Sequence, residues 1–370
     1  MKALKTLSPG SRVLIYGTGN FAKRVAGHSQ VLGFELVGFV DHIKTTQPVE
    51  LNGANYKVFE CQSLPSQDNY DALILGIGNG YADLELIHRG LQAFVPKESI
   101  FSPVEFSNLC GSQNLDLDCY WMQSEPDFYK KNVKEIDEML SVFEDEESRV
   151  LYLQILKYRE FGEISDMPQP NKNSEQYLPD NLSTPPRNLR MVDLGACKGE
   201  SLEFFLDRGH VIDFGAFFEP DYSNFIFLSE KLRRLKIGNS LVLPLAAWCE
   251  TKLLSFDASS DTSSHLTEGG TVFVQAVDLS NFLATTSINY VKMDIEGAEY
   301  EALIGLEPII LRDKPHLAIS VYHKPDDMWK IGLWLNLKYG KEYSFYLRNY
   351  CFQTFETILY AIPKNYSPRS

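Results

Sequence analysis

The sequence predicts an α/β protein built from two doubly wound units joined by a helical connector, and three observations carry that prediction. Two separate apolar strands run directly into glycine-rich turns and then helical stretches: 12–16 into Gly17-Thr18-Gly19-Asn20-Phe21-Ala22, and 189–194 into Gly195-Ala196-Cys197-Lys198-Gly199. Between them the apolar spacing turns helical and ends in a run rich in Pro, Asn and Ser. At 370 residues the chain also exceeds what one hydrophobic core usually serves. The expected partition is a small Rossmann-like nucleotide or nucleotide-sugar binding domain over residues 1–105, a helical connector and linker over 106–186, and a second Rossmann-like domain over 187–370.

In the first unit, the strand at 12–16 and the G-x-G-x-x-A turn are followed by a second strand, 35–40, that ends at Asp41. Such a turn lets backbone approach a phosphate, and an acid about 20 residues on can hold ribose hydroxyls. Gly17, Gly19, Asn20 and Asp41 are therefore candidates for a nucleotide or nucleotide sugar. A second turn, Gly76-Ile77-Gly78-Asn79-Gly80, ends the strand at 72–75 and suggests that this sheet edge faces a ligand. The competing readings are nicotinamide redox chemistry and glycines kept for turn geometry alone. His28 and His42 stand without companions for hydride transfer. The words VLIYGTGNFAKRV and LVGFVD resemble the N-terminal domain of sugar O- and N-acyltransferases over roughly residues 10 to 100, where the glycine turn holds a nucleotide-linked sugar.

From about Glu125 the connector reads as helical. Val133, Ile136, Leu140 and Phe143 fall on one stripe. The acid run Glu144-Asp145-Glu146-Glu147 opens a second helix, where carboxylates complement exposed N–H groups and the macrodipole, in an otherwise solvated surface. Residues 168–188 read as a linker, with Tyr177 and Leu178 tucking against the domain that follows.

In the second unit the acid precedes the glycines: D-x-G-x-x-x-G from Asp193 through Gly195 and Ala196 to Gly199. At a strand-to-helix turn this pattern resembles the first motif of S-adenosylmethionine-dependent methyltransferases, which implies that the glycines let backbone approach the methionine part of a sulfonium donor and that Asp193 sets negative charge near its ammonium and orders the loop. The next strand ends at Glu219, placed to accept ribose hydroxyls. A third, 241–245, leads to Trp248, either a wall for an adenine ring or core. A fourth ends in Asp294-Ile295-Glu296-Gly297-Ala298-Glu299, and a fifth delivers His323 and Lys324 to the same edge; 343–347 and 357–362 complete the sheet.

The words VDLGACKGES, FEPD, YVKMDIEGAEYEALIG and LAISVYHKPDDMWKI, in that order over residues 189–363, resemble the FkbM family of S-adenosylmethionine-dependent methyltransferases. The resemblance implies a class I seven-stranded sheet whose last strand is antiparallel, and O-methylation of a carbohydrate or similar polyhydroxylated acceptor. It places the S-adenosylmethionine site at Asp193, Gly195, Ala196, Gly199, Glu219, Asp294 and Glu296. His323 is the first candidate for general base, since an unperturbed imidazole titrates at about 6.5. Asp294 is the second, and with Glu296 or Glu299 it also offers oxygens to a divalent cation, although no metal site is predicted. Two alternatives remain: a nucleotide-sugar sensor with a non-catalytic second domain, and a nicotinamide-dependent sugar dehydrogenase or epimerase.

Composition narrows the partners. Lys and Arg number 35 against 49 Asp and Glu, a net charge of −14, which disfavours nucleic acid and other polyanions. No apolar run reaches the roughly 18 residues needed to span a bilayer, and the start lacks a secretory signal. Six cysteines without C-x-x-C spacing (Cys61, Cys110, Cys119, Cys197, Cys249, Cys351) read as reduced thiols. A cytoplasmic enzyme is expected, with homo-oligomerisation left open.

Overall fold

A computed structural model describes residues 7–42, 47–112, 115, 127–257, 265–266 and 272–364; Cys119 and Glu125 lie outside this set. The chain divides into two compact units. One comprises Met1–Val133, Val150–Pro170 and Cys351–Phe355, the other Lys134–Arg149, Asn171–Tyr350 and Glu356–Ser370.

The first unit is built on β1 (Arg12–Tyr16), whose Val13, Leu14 and Ile15 are fully buried. An unbroken apolar run suits a strand covered on both faces, as in parallel sheets. After it come α1 (Asn20–Val31), β2 (Glu35–Asp41), the antiparallel pair β3 (Val49–Leu51) and β4 (Ala54–Tyr56), β5 (Val58–Glu60), β6 (Ala72–Leu75), α2 (Leu84–Leu91), β7 (Ile100–Phe101) and α3 (Pro103–Gly111). The five-stranded sheet is parallel in the order β5-β2-β1-β6-β7. Helix α1 buries Ala22, Val25, Ala26 and Ser29, one stripe at helical spacing. Helix α3 opens with Pro103 behind a capping box in which Ser102 and Glu105 satisfy each other's backbone N–H.

Three helices follow: α4 (Phe128–Lys131), α5 (Val133–Val142) and α6 (Glu146–Phe161). The buried stripe of α5 is Ile136 and Met139, continued by Phe143, whereas Val133 is exposed. Of the expected stripe, Ile136 and Phe143 are buried and Leu140 is half-buried; Val133 is the exception, and Met139 is the buried residue the sequence reading missed. Of the acid run, Asp145 accepts the Ser148 N–H at 2.9 Å and pairs with the buried Arg348 at 2.7 Å; Glu147 stands 3.3 Å from the same guanidinium. These acids begin a helix as expected, but two of them also neutralise a buried cation instead of facing only solvent.

The second unit contains β8 (Asn188–Leu194), α7 (Ser201–Asp207), β9 (Val211–Phe218), α8 (Tyr222–Arg234), β10 (Ser240–Leu243), β11 (Ala246–Trp248), β12 (Lys252–Asp257), β13 (His265–Leu266), β14 (Val272–Asp278), α9 (Leu279–Phe282), β15 (Tyr290–Met293), α10 (Glu299–Asp313), β16 (His316–Ser320), α11 (Asp327–Tyr339), β17 (Tyr343–Asn349) and β18 (Thr357–Pro363). Its main sheet runs β10-β9-β8-β15-β16-β18-β17. The first five strands are parallel, and β18 is antiparallel to both of its neighbours. This is the seven-stranded sheet with a reversed last strand that the sequence implied. A separate four-stranded sheet, β11-β14-β12-β13, was not anticipated. It takes Trp248 into its own edge strand, with the Lys252 ammonium 4.9 Å from the indole centroid.

Tyr177 and Leu178 are buried in the core cluster that also holds Leu189, Met191, Phe205 and Tyr290. No disulfide joins the described cysteines Cys61, Cys110, Cys197, Cys249 and Cys351. Among the described residues no helix is long and apolar enough to cross a membrane.

Candidate active site

The parallel strands β9, β8, β15 and β16 end at a common edge, the region where open α/β sheets bind ligands. Asp193, one residue before the end of β8, is completely buried. It pairs with the Lys292 ammonium at 3.0 Å and accepts the Ser201 hydroxyl at 2.8 Å. Lys292 also donates to the Gly195 carbonyl at 2.6 Å. Burial works against this ammonium, but Asp193 and Asp294 outweigh it and hold Lys292 above its ordinary pKa. Of the two tasks expected of Asp193, ordering the glycine loop is accounted for. Its charge, however, is met inside the protein by Lys292, which corrects the expectation that it stands open to a ligand's ammonium.

The loop geometry requires glycine. Gly195 lies at φ +76°, and a Cβ there would overlap the Asp294 carbonyl oxygen. Gly199, also at φ +76°, would put a Cβ 2.9 Å from the Leu228 side chain. The N–H groups of Gly195 and Ala196 both donate to the Phe218 carbonyl at 3.0 Å. Glu219, beyond β9, accepts the Cys197 N–H at 2.7 Å and the Asp221 N–H at 2.9 Å, one on each carboxylate oxygen. Burial raises its pKa. Each oxygen retains a second lone pair for another donor.

Beyond β15 the turn carries Asp294, Glu296 at φ +56° and Gly297 at φ +94°, then Glu299 opens α10. His323 follows β16 with its side chain 1 % exposed. Its Nδ1 lies 2.9 Å from Glu299 Oε1, which also accepts the Ile295 N–H at 2.9 Å. Its Nε2 stands 3.5 Å from Asp294 Oδ1 and 3.4 Å from Glu296 Oε2. Two phenols hold Asp294: Tyr177 donates to Oδ2 at 3.3 Å, and the Tyr322 hydroxyl lies 3.3 Å from Oδ1 and 3.2 Å from Glu356. Burial pushes both phenols well above their ordinary pKa, so they remain donors. Burial, with Asp294 nearby, pushes Glu356 up to about 7.

This environment changes the standing of His323. Burial alone would lower its pKa, but Glu299, Glu296 and Asp294 outweigh burial and push it up to about 10. The ground for ranking it first as a base, an imidazole titrating near 6.5, does not hold in the folded chain. Asp294 beside it has a side chain 19 % exposed, against 1 % for His323.

The structure thus gathers Asp294, Glu296, Glu299 and His323, and connects the glycine loop to Glu219. Sequence reading assigned no role to Lys292, Tyr322 or Glu356. The signal for Lys292 was present: a lysine inside an otherwise apolar central strand implies a buried partner.

In the first unit, Gly17 lies at φ +101° and donates its N–H to the Val40 carbonyl at 2.7 Å. Gly19 and the exposed Asn20 begin α1, and Asp41 accepts the Thr18 hydroxyl at 2.9 Å. The second glycine turn is explained by packing. A Cβ on Gly78 would meet the Phe21 ring at 2.8 Å, one on Gly80 would meet Cys351 at 2.8 Å, and the Asn79 and Gly80 carbonyls accept from Gln353 and Phe352. A cavity of about 190 Å³ in this unit, lined by Glu85, His88, Arg89, Glu98 and Glu163 among others, has its Arg89 tied to Glu85 at 2.7 Å and holds no comparable constellation.

Residues 193–354 match the family described as the methyltransferase FkbM domain. Over those residues the chain is similar to FkbM methyltransferases. The solved structure of methyltransferase FkbM from Methylobacillus flagellatus KT is similar over 95% of this chain and 90% of that one, with a TM-score of 0.75 at 21% identity, which speaks for the fold. An rRNA methylase from Streptococcus thermophilus is 13% identical over 48% of this chain and 89% of its own, with a TM-score of 0.32. A SAM dependent methyltransferase from Aquifex aeolicus is 15% identical over 51% and 89%, with a TM-score of 0.30. A search of curated proteins returns no match.

The methyl donor of an FkbM domain is S-adenosylmethionine, and the residues present fit it. The loop beneath the strand edge admits no Cβ at Gly195, and the Glu219 carboxylate, just past β9, has lone pairs to spare.

Proposed function

We propose that this protein transfers a methyl group from S-adenosylmethionine to a hydroxyl of a carbohydrate or similar polyhydroxylated acceptor. The observation that carries the reading is one stretch of sheet edge on which the Gly195 loop, tied to Glu219 through the Cys197 N–H at 2.7 Å, lies directly against Asp294, the residue that faces His323. When bound, the donor supplies an electrophilic methyl group on a sulfonium. Gly195, Ala196 and Gly199 would shape its cradle, with Asp193 and Lys292 supporting them from beneath. Glu219 would accept the ribose hydroxyls, and Glu296 would line the far side of the turn.

The remaining work is alignment and removal of one proton from the acceptor hydroxyl. A positioned base contributes about 10²- to 10⁴-fold. Asp294, with His323 beside it, is assigned that proton, and the Tyr177 and Tyr322 hydroxyls fix its carboxylate. In the first unit, Gly17, Gly19, Asn20 and Asp41 are assigned to a nucleotide-linked sugar. The closed packing of the second glycine turn restricts that assignment to the first.

Calorimetry with S-adenosylhomocysteine and a labelled-methyl assay over a panel of nucleotide sugars and glycosides test this reading. Glu219→Ala should weaken S-adenosylhomocysteine at least tenfold. Asp294→Asn should cut turnover by about 10²-fold or more. Absence of S-adenosylhomocysteine binding by the parent chain would overturn the assignment.

A further inference from the structure

The Tyr322 hydroxyl stands between two carboxyl groups, 3.3 Å from Asp294 Oδ1 and 3.2 Å from Glu356 Oε1. A phenol carries one hydrogen, and an ionised carboxylate only accepts. Tyr322 can therefore donate to one of the two; were both ionised, the other would face the phenol oxygen with no hydrogen between them. One more hydrogen completes the line, and the remaining partners say where it sits. Asp294 Oδ2 is met by the Tyr177 hydroxyl at 3.3 Å, and Oδ1 also has, at 3.5 Å, Nε2 of the imidazole that three carboxylates hold charged. The hydrogens of these partners all point at Asp294, as an ionised carboxylate requires. Glu356 Oε2 accepts the Gln176 amide at 2.6 Å, which leaves Oε1 to carry a hydrogen toward Tyr322.

Charge agrees with this count. Burial, then the negative charge of Asp294, works against an ionised Glu356; His323, the Gln176 amide and Lys292 work the other way, and the balance pushes Glu356 up to about 7. Where two carboxyl groups share a site, one keeps the proton and the other the charge. The backbone is bent to this placement as well. Glu356 lies at φ +51°, a left-handed conformation that a non-glycine residue adopts at a cost and that clusters at functional sites.

We propose that Asp294 and Glu356 share one proton through the Tyr322 hydroxyl, and that protonated Glu356 is the positioning residue that keeps Asp294 ionised and aimed at the acceptor hydroxyl. The Gln176 amide donates to Glu356 Oε2, Glu356 Oε1–H to Tyr322, and Tyr322 O–H to Asp294 Oδ1. As the acceptor oxygen gains the methyl carbon, the electron pair of the broken carbon–sulfur bond stays on sulfur and the hydroxyl proton passes to Asp294, while Glu356 keeps its own. Loss of the Glu356 proton turns the Tyr322 hydrogen toward Glu356, and Asp294 loses the donor that fixes it. This role in the reaction rests on the methyl-transfer reading; the shared proton does not.

Infrared difference spectra of the full chain, taken on either side of pH about 7, read the carbonyl stretch of protonated carboxyl groups with no substrate present. A band that titrates near 7 in the parent and is missing from Glu356→Gln is expected. Asp327, which burial beside Glu299 also pushes up to about 7, supplies a second band that Glu356→Gln retains. In the labelled-methyl assay, the parent kcat should fall as pH rises through about 7. Glu356→Gln, whose amide donates to Tyr322 at every pH, should keep the kcat of the neutral parent and lose that fall. Tyr322→Phe should lower kcat about ten- to a hundredfold, the scale of one hydrogen bond to a charged group, with acceptor KM little changed. Because Glu356 acts through Tyr322, Glu356→Gln should add nothing in the Tyr322→Phe background. Gln176→Ala removes a donor that favours the ionised form, so it should move both the band and the fall in kcat to higher pH. If Glu356→Gln does not fold by circular dichroism, Gln176→Ala carries the comparison. No band lost in Glu356→Gln, the same alkaline fall in both chains, or unmoved midpoints in Gln176→Ala overturns the proposal. Methyl transfer with the band unchanged removes the shared proton alone, and loss of the band in a chain that methylates no acceptor removes methyl transfer alone.

Discussion

Replacing Lys292 with methionine removes the one cation that lies both against Asp193, at 3.0 Å, and against the carbonyl of Gly195, at 2.6 Å. Methionine keeps the length and apolar stem, so packing changes little. Asp193 is completely buried and keeps only the Ser201 hydroxyl, at 2.8 Å, among the contacts described above. Removing one partner of a buried pair leaves an uncompensated charge and costs about 3–5 kcal/mol. Against total stabilities of about 5–15 kcal/mol, that is a large fraction. Urea unfolding followed by circular dichroism measures it, and Asp193→Asn in the Lys292→Met background should recover part of the loss by removing the stranded charge. S-adenosylhomocysteine affinity should also fall, because the Gly195 carbonyl loses its anchor. A loss below about 1 kcal/mol, or two single changes that simply add, would refute the claim that this pair supports the loop.

Three other outcomes are expected. Burial pushes His316 down to about 4 from an ordinary 6.5, so the folded chain keeps it neutral while the unfolded chain protonates it. Stability should fall as pH drops from about 6.5 toward 4, by up to about 3 kcal/mol, and urea midpoints of His316→Asn should flatten in that window. Gly195→Ala forces a side chain into φ +76° and onto the Asp294 carbonyl, so calorimetry should show S-adenosylhomocysteine binding reduced at least tenfold. Asp145→Ala removes the acceptor for the Ser148 N–H and a partner of the buried Arg348, and should cost about 2 kcal/mol or more in the same unfolding assay.

Much of this arrangement was legible in the residues themselves. Strand-then-glycine words located β1 and β8 together with their turns, because a left-handed turn beneath a ligand edge leaves few alternatives to glycine. The acids at the ends of β9 and β15 were found because a carboxylate ending a buried strand needs a reason. Phase and partnership were harder to read. The α5 stripe kept Ile136 and Phe143 but lost Val133 to solvent and took in Met139, since period does not specify which neighbour the helix meets. Gly78 and Gly80 looked like a second phosphate turn, yet they serve close approach of Phe21 and Cys351, a contact 271 positions away that no local pattern encodes. His323 was identified but its proton affinity was not, because that depends on three carboxylates converging from a turn and a helix start.

The segment Cys351–Phe355 belongs to the first unit, although in sequence it sits between β17 and β18 of the second. The chain therefore enters the first unit again just before its final strand, and no single cut can part the two units. A fragment beginning near residue 187 would retain the last strands yet present Cys351, buried in the intact chain, and Phe355 without Gly80 to pack on. For dissection, expression and recombination, the full length of the chain is the indivisible piece. A family segment that ends at residue 354 stops inside that borrowed loop, short of β18, the strand that completes the catalytic sheet.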